Sequence, residues 1–169
     1  MNWGRIFRLN YPINKKRKDL FIMKTAIIYY SRHHGNTKKL LDAIAAEDDI
    51  TFIDVTDHPV TELSEYERIG FASGIYYQSF HKSILEYAKK YLPEKKNVFF
   101  LFTYGIKRKG YLDAIRQTVF SKNAKVIGQY GCRGFDTFGP FKLIGGIAKK
   151  HPTQEEIKKA VDFYQSLPQ

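Results

Sequence analysis

Short apolar runs alternate with amphipathic segments, and this alternation constrains the fold more than any other feature of the chain. Residues 98–103 (VFFLFT) and 25–30 (TAIIYY) are almost wholly apolar and rich in β-branched and aromatic side chains. Such runs are typical of strands that are buried on both faces of a parallel sheet. Similar strand patterns occupy residues 50–55, 68–73 and 125–130.

Helical spacing separates these runs. Helices are predicted over residues 36–46, 79–91 and 111–120, with a last one that opens at Thr153. In the first, Leu40, Leu41 and Ile44 recur on one face, and Thr153 with Glu156 forms the pattern of a capping box. Five strands alternating with helices imply βαβ units with right-handed crossovers. The predicted fold class is therefore α/β, with one parallel sheet covered by helices on both faces.

The positive charge is unevenly distributed. The chain carries a net charge of +11. Residues 1–22 hold six basic residues and one acidic residue, or +5, and the rest holds 22 basic and 16 acidic residues, or +6. Met23 and Lys24 directly precede a strand pattern, so we predict a disordered basic extension over residues 1–22 and one domain over residues 23–169. The alternative is a polybasic arm that binds nucleic acid or anionic lipid.

Several classes of protein are disfavoured by what the sequence lacks. Its single cysteine, Cys132, excludes a disulfide scaffold and a Cys-based metal cluster, and it fits a reducing cytoplasm. No apolar run approaches the length of a membrane span. Neither G-x-x-x-x-G-K-[ST] nor G-x-G-x-x-G occurs, so the fingerprints of triphosphate and dinucleotide sites are absent. The histidines have no spacing that predicts a metal site.

The loop after the first strand has the features of a phosphate site. In such a sheet, ligands bind beyond the carboxyl ends of the strands, where the strand order reverses. Gly35 permits a tight turn, Asn36 and Thr37 are predicted to cap the next helix, and the helix start offers free N–H groups and a positive dipole end. A plain helix cap with two exposed histidines is the alternative. The candidate residues are Ser31, Arg32, His33, His34, Gly35, Asn36 and Thr37.

Two further loops at the same edge combine glycine with tyrosine. This combination suits a planar heterocycle held between aromatic rings, although any single tyrosine could equally be a half-buried loop residue. Together with the first loop, they predict a flat, monophosphorylated ligand. The candidate residues are Ser73, Gly74, Ile75, Tyr76 and Tyr77 after the third strand, and Thr103, Tyr104 and Gly105 after the fourth, with Tyr111 as a further neighbour.

The three loops resemble those of the flavodoxin family. Residues 30–39 (YSRHHGNTKK) resemble the FMN phosphate loop, residues 71–77 (FASGIYY) the isoalloxazine loop, and residues 102–105 (FTYG) the loop over the other flavin face. The resemblance extends over residues 24–167. It implies a flavodoxin-like three-layer sandwich with a five-stranded parallel sheet of order 2-1-3-4-5 and FMN at the switch point.

The same resemblance implies roles for the candidate residues. Those from Ser31 to Thr37 would hold the ribityl phosphate, and those of the other two loops would flank the flavin, which supplies the redox chemistry. Carboxylates near a flavin lower its potential, and these loops contain none. Arg32 and His34 depart from the family, which has hydroxyl residues there. Typical electron-carrying flavodoxins are acidic, so a domain of net charge +6 implies different partners.

A second resemblance bears on activity. Residues 72–90 are similar to flavodoxin-type protoporphyrinogen oxidases, basic FMN proteins that pass electrons from a porphyrinogen to a quinone. Between Tyr104 and the next predicted helix this chain has only a few residues, whereas those enzymes carry a longer insertion there. Residues 134–142 instead resemble the tail of small bacterial flavodoxin-family proteins, so the oxidase resemblance ranks second.

Three hypotheses follow from the sequence. The first is a cytoplasmic FMN-binding electron carrier that exchanges electrons with redox partner proteins or a small-molecule acceptor. This hypothesis predicts no binding of nucleic acid. The second is an FMN-dependent oxidoreductase of protoporphyrinogen oxidase or quinone reductase type, and the third is a nucleic-acid or membrane binder acting through residues 1–22. Two features stay open: Cys132, placed beyond the fifth strand, is a buried hydrophobe or a redox-active thiol, and the apolar residues 135–147 cover a sheet edge or dock a partner.

Overall fold

Strands and helices alternate along the chain in the computed structural model, which describes residues 23–57 and 62–168. The predicted extension over residues 1–22 lies outside these described residues. The strands are β1 (Thr25–Tyr30), β2 (Ile50–Asp54), β3 (Arg68–Tyr76), β4 (Ser79–Phe80), β5 (Asn97–Tyr104) and β6 (Lys125–Arg133). The helices are α1 (Asn36–Ile44), α2 (Lys82–Tyr91), α3 (Asp113–Ser121) and α4 (Gln154–Gln165), with short 3-10 turns at Val55–Asp57 and Gly139–Ile144.

The sheet has the order β2-β1-β3-β5-β6, and these five strands are parallel. The short β4 pairs antiparallel with the end of β3. With β4 set aside, the order is the predicted 2-1-3-4-5, which confirms the fold class. Thr25 pairs with Ile50 on one side and with Arg68 on the other. The strands therefore share an amino edge and a carboxyl edge. The chain places β2 on one side of β1 and β3 on the other, so the strand order reverses between β1 and β3.

Two separate cores explain why the strand patterns are continuously apolar. Successive residues of a strand point to opposite faces. Ile28 and Phe100 are buried in the core that contains residues of α2 and α3, whereas Ile27 and Phe99 are buried in the core that contains residues of α1 and α4. No helix within the described ranges is both long and apolar enough to cross a bilayer.

β3 continues further than the sequence predicts. The expected loop after Ser73 is strand as far as Tyr76, because Ile75 pairs with Phe80 and Tyr76 pairs with Ser79 in a hairpin. The predicted helical start at Ser79 is wrong for the same reason. The helix begins at Lys82, and its cap is His81, whose Nδ1 accepts a hydrogen bond from the Ser83 N–H at 3.3 Å.

The last strand and last helix show one correction and one confirmation. β6 runs to Arg133, so Cys132 lies inside the strand, paired with Thr103, and not beyond it. The predicted capping box of α4 is confirmed. The Thr153 hydroxyl accepts from the Glu156 N–H at 3.2 Å, and the Glu156 carboxylate accepts from the Thr153 N–H at 2.7 Å.

From the backbone of the β3–β4 turn, we expect the substitution Gln78→Gly to stabilise the protein. Tyr77 and Gln78 have φ of 47° and 65°, the left-handed region that side chains disfavour and that two-residue hairpin turns require. Because Gln78 is exposed, glycine should raise the free energy of unfolding by about 0.5–1 kcal/mol, measured by urea denaturation. Gln78→Ala keeps the strain and should show no gain; an equal gain would contradict this account.

Candidate functional site

A cleft lies at the carboxyl edge of the sheet, where the β1–α1 loop meets the ends of β3 and β5. Ten of the sixteen predicted site residues line it, together with four residues that follow β6. The ten are Ser31, His33, Asn36, Thr37, Gly74, Ile75, Tyr76, Thr103, Tyr104 and Gly105, and the four are Gly134, Phe135, Asp136 and Phe138.

The β1–α1 loop leaves the start of α1 open. Gly35 is the residue that precedes the helix, with φ of 63°, and a Cβ placed on it would meet no atom within 4 Å. The expectation that Asn36 or Thr37 caps the helix is wrong, because α1 has no side-chain cap. The Ser31 hydroxyl instead accepts from the Lys38 N–H at 3.0 Å. The loop thus presents open space at a positive helix end.

Asn36 and Thr37 turn into the cleft as buried polar side chains. The Thr37 hydroxyl lies 3.1 Å from the Thr103 hydroxyl. The Asn36 amide donates to the carbonyl of Phe135 at 2.7 Å, while its Oδ1 is buried without a hydrogen-bond partner among the described residues. An unpaired buried acceptor is costly, so this atom fits a ligand that carries a hydroxyl donor.

The two histidines of the loop converge on one hydroxyl. The Nε2 atoms of His33 and His34 lie 3.1 Å and 2.9 Å from the hydroxyl of Thr137. Desolvation and the neighbouring His33 hold the pKa of His34 below its ordinary value, which keeps this imidazole neutral near pH 7. His34 itself does not line the cleft, and neither does Arg32, whose guanidinium donates to Thr56.

Tyr76 is the main aromatic residue on the β3 side. Its ring packs edge-on against Tyr30 at 5.7 Å and against His81 at 5.2 Å between centroids. Burial, followed by the nearby Tyr30, raises the pKa of Tyr76 to about 12, so the phenol stays protonated. The ring also folds over Gly74, where a Cβ would lie 3.2 Å from its edge.

Four other predicted residues do not line the cleft. Ser73 is fully buried, and its hydroxyl accepts from the His81 N–H at 3.1 Å. Tyr77 points outward with 85% of its surface exposed. Tyr111 is buried beside Tyr104, at 5.9 Å between ring centroids, and donates to the Ile106 carbonyl. Gly35 stands at the helix start without lining the cleft.

The residues after β6 were missed as site residues by sequence reasoning. Gly134 N–H donates to the carbonyl of Tyr104 at 2.9 Å, and Asp136 exchanges two backbone hydrogen bonds with Ile147 at 3.0 Å and 2.8 Å. Gly134, Phe135, Asp136 and Phe138 form a wall of the cleft, whereas Leu143 and Ile144 further along the segment are exposed. The sequence feature that could have identified the cleft-lining residues is Asp136, a carboxylate in an apolar segment that directly follows a predicted strand.

Asp136 gives the cleft a carboxylate that the three predicted loops lack. Its side chain lies against Gly105 so closely that a Cβ on this glycine would collide with it. Its Oδ1 accepts from the Phe138 N–H at 2.8 Å. Gly105 is therefore needed for the close approach of two loops.

Cys132 does not have the environment of a reactive thiol. It is 4% exposed, and burial raises its pKa to about 12. A reactive cysteine needs its thiolate form, so the structure favours the buried-hydrophobe interpretation. Among the residues that the structure describes, no group of three or more metal-ligating side chains is close enough to hold a metal ion.

The strand order and the open helix start at its switch point define a flavodoxin-like protein. Comparison of sequences agrees: residues 27–131 match the flavodoxin domain family, and the chain belongs to that family. An uncharacterised protein of Methanocaldococcus jannaschii is 38% identical over 149 residues, which cover 86% of this chain and 98% of the relative.

Solved structures share the fold. A flavodoxin from the domain Archaea superimposes with a TM-score of 0.60 at 19% identity, over 85% of this chain and 97% of the other. General stress protein 14 of Treponema denticola, solved in complex with FMN, superimposes with a TM-score of 0.57 at 12% identity, over 84% and 95%.

Proposed function

We propose that the cleft binds FMN non-covalently and that the protein is a cytoplasmic, flavodoxin-like electron carrier. The observation that carries this proposal is the open start of α1 at the switch point between β1 and β3. A neighbour of the same fold was solved with FMN, which supports the choice of ligand. Bound FMN would supply the redox chemistry.

The polar atoms of the cleft fit the parts of FMN. The Thr37 N–H in the first turn of α1, with the hydroxyls of Ser31 and Thr37, is a set of donors suited to a phosphate dianion. The unpaired Asn36 Oδ1 suits a ribityl hydroxyl. The rings of Tyr76 and Tyr104 offer flat apolar surface on two sides of the cleft.

The chain would tune the flavin by charge and by excluding water. Asp136 places a carboxylate in the cleft wall, and negative charge there opposes the gain of negative charge on reduction. Phe135 and Phe138, which follow β6, line the cleft and would keep solvent from that side of the flavin. No acid–base pair of side chains is needed for this role.

FMN titration tests the proposal, with riboflavin as the phosphate-free control. We expect quenching of FMN fluorescence, a yellow complex and release of FMN on denaturation. Riboflavin should bind at least about tenfold more weakly, because each factor of ten corresponds to about 1.4 kcal/mol and a phosphate makes several charge-assisted hydrogen bonds. Equal affinity for the two ligands would contradict the phosphate assignment, and failure to bind either would contradict the function.

Thr37→Val removes one hydroxyl from the phosphate side of the cleft. We expect FMN to bind more weakly by about 1–3 kcal/mol, while riboflavin affinity changes little. Calorimetric titration measures both. Thr118→Val is the matched control, since Thr118 is a buried threonine of α3 whose hydroxyl bonds to Ala114. Unchanged FMN affinity in Thr37→Val would remove Thr37 from the site.

The connection between β5 and α3 favours a carrier over an oxidase. It consists of residues 105–112 and lacks the longer insertion that flavodoxin-type protoporphyrinogen oxidases carry there. We expect no turnover of protoporphyrinogen or menaquinone by the FMN-loaded protein. Steady turnover of either would establish the oxidoreductase alternative.

A further inference from the structure

A short run of cations stands at the mouth of the cleft. The basic loop, residues 106–109 (Ile106, Lys107, Arg108 and Lys109), directly follows Gly105, which lines the cleft, and all four of its residues are exposed. None of the ion pairs formed among the described residues includes its three cations. The Tyr111 hydroxyl donates to the Ile106 carbonyl and anchors the loop.

A fourth cation lies at the same edge. Arg133 is the last residue of β6, pairs in register with Tyr104, and is exposed. Three carboxylates lie nearby: Asp136 accepts from the Phe138 N–H, Asp113 opens α3 beside Gly110, and Glu156 acts with Arg133 on the pKa of Tyr104. The four cations exceed these three carboxylates, so the mouth of the cleft is positively charged.

Exposed apolar side chains accompany this charge. Tyr77, Phe138 and Ile106 are 85%, 46% and 42% exposed. The rings of Tyr77 and Phe138 meet edge to face at 5.3 Å between centroids, which joins the β3–β4 turn to the segment after β6. The backbone of Tyr77 has φ of 47°, a conformation that costs free energy. Aromatic side chains surrounded by arginine and lysine are typical of protein interfaces.

We propose that this surface docks an acidic redox protein, whose carboxylates face the basic loop and Arg133 while its apolar residues cover Tyr77 and Phe138. The inference rests on the proposed function and names the class of partner. The cations lie beside the mouth of the cleft, after β5 and at the end of β6, so an acidic partner attracted to them would bring its redox centre close to the flavin. Bound FMN would accept one electron from the reduced partner in each encounter, so two encounters, with two protons from solvent, would reduce it fully.

The test uses the FMN-loaded full chain and a reduced, acidic plant-type [2Fe–2S] ferredoxin as the probe. Stopped-flow absorbance measures the rate of FMN reduction, and calorimetry measures complex formation, both from about 50 to about 300 mM salt. We expect the rate to fall steeply with salt. The triple variant Lys107→Glu, Arg108→Glu, Lys109→Glu should slow it by about tenfold or more.

A matched triple variant reverses three cations elsewhere. Lys89→Glu, Lys90→Glu and Lys125→Glu change the charge equally, at exposed positions in the last turn of α2 and at the amino end of β6. This variant should slow the reaction by less than about threefold. FMN affinity and thermal stability are measured for both variants, so that loss of flavin or of fold is separated from loss of docking.

Each outcome decides the proposal. A second variant, Tyr77→Ser, should weaken ferredoxin binding in calorimetry without changing the salt dependence. Equal slowing by the two triple variants, or tighter binding of basic cytochrome c than of ferredoxin, overturns the proposal. The proposal is also overturned if the protein binds duplex DNA or phosphatidylserine vesicles and the first triple variant loses that binding but still binds ferredoxin as tightly as before. Failure to bind FMN contradicts the proposed function alone, since calorimetry with ferredoxin still reports on the surface.

Discussion

Gly35→Asp should raise the dissociation constant of FMN at least about 100-fold. Gly35 stands at the open start of α1, with nothing within 4 Å of the position a Cβ would take. Gly35 adjoins the cleft without lining it, so a carboxylate there would stand beside the proposed phosphate and repel it. Two unit charges ~4 Å apart interact by about 4 kcal/mol at an effective dielectric constant of 20. We therefore expect the binding free energy of FMN to weaken by about 3 kcal/mol.

Gly35→Asn separates charge from backbone strain. Asparagine and aspartate both tolerate the left-handed conformation that the φ of 63° at Gly35 imposes, and they have nearly the same shape. We expect the asparagine variant to keep FMN affinity within about tenfold, since an uncharged amide adds no repulsion. Fluorescence titration measures both variants, with riboflavin as the control ligand. Equal FMN affinity in the two variants would show that no phosphate binds at the start of α1.

Arg68→Met should lower the free energy of unfolding by about 2–4 kcal/mol, because it removes a buried cation from a connected polar cluster. Arg68 is 5% exposed and donates to the hydroxyls of Thr25 at 3.1 Å and Tyr164 at 3.2 Å. Its guanidinium lies 3.5 Å from the carboxylate of Asp48, which also accepts from Tyr164 at 2.9 Å. Asp48 keeps a third of its side chain exposed, which limits the cost of leaving its charge unpaired.

Urea denaturation measures this loss, and Arg133→Met is the matched control. Arg133 is an exposed arginine at the opposite end of a parallel strand, so its replacement should change stability by less than about 0.5 kcal/mol. The Arg68 cluster lies at the amino edge of the sheet, away from the cleft, and FMN affinity should therefore be unchanged in Arg68→Met. A loss below 1 kcal/mol would show that the cluster is not a net stabilising unit.

Local patterns predicted most of the fold. β1 has the predicted bounds, Thr25–Tyr30, because a fully buried strand is apolar along its whole length and polar residues flank it. The Thr153 capping box was predicted because its two partners are three residues apart. The sheet order followed from the resemblance of the loops to those of flavodoxins, and the structure confirms it.

The candidate site was predicted in part. Loops that leave the carboxyl ends of parallel strands must meet at one edge, so the alternation of strands and helices was enough to bring Thr37, Tyr76 and Thr103 together. Alternation does not tell how far a strand continues past its apolar run. Ser73 and Tyr77 were therefore expected in a cleft loop. Ser73 is instead buried in the sheet, paired with Tyr30 and Phe102, and Tyr77 lies exposed in the turn between β3 and β4.

The sequence by itself determined the layers and the faces of the helices, because these depend on periodicity over a few residues. It also determined which edge of the sheet holds the cleft, because alternating strands and helices place every loop after a strand at the same edge. Tertiary structure alone decided that Asp136 contacts Gly105, that Asn36 meets Phe135, and that Arg68 joins Asp48 and Tyr164. These contacts connect positions far apart in the chain, and no periodicity in the sequence encodes them. They depend on how the segment after β6 and helix α4 return across a sheet that has already formed.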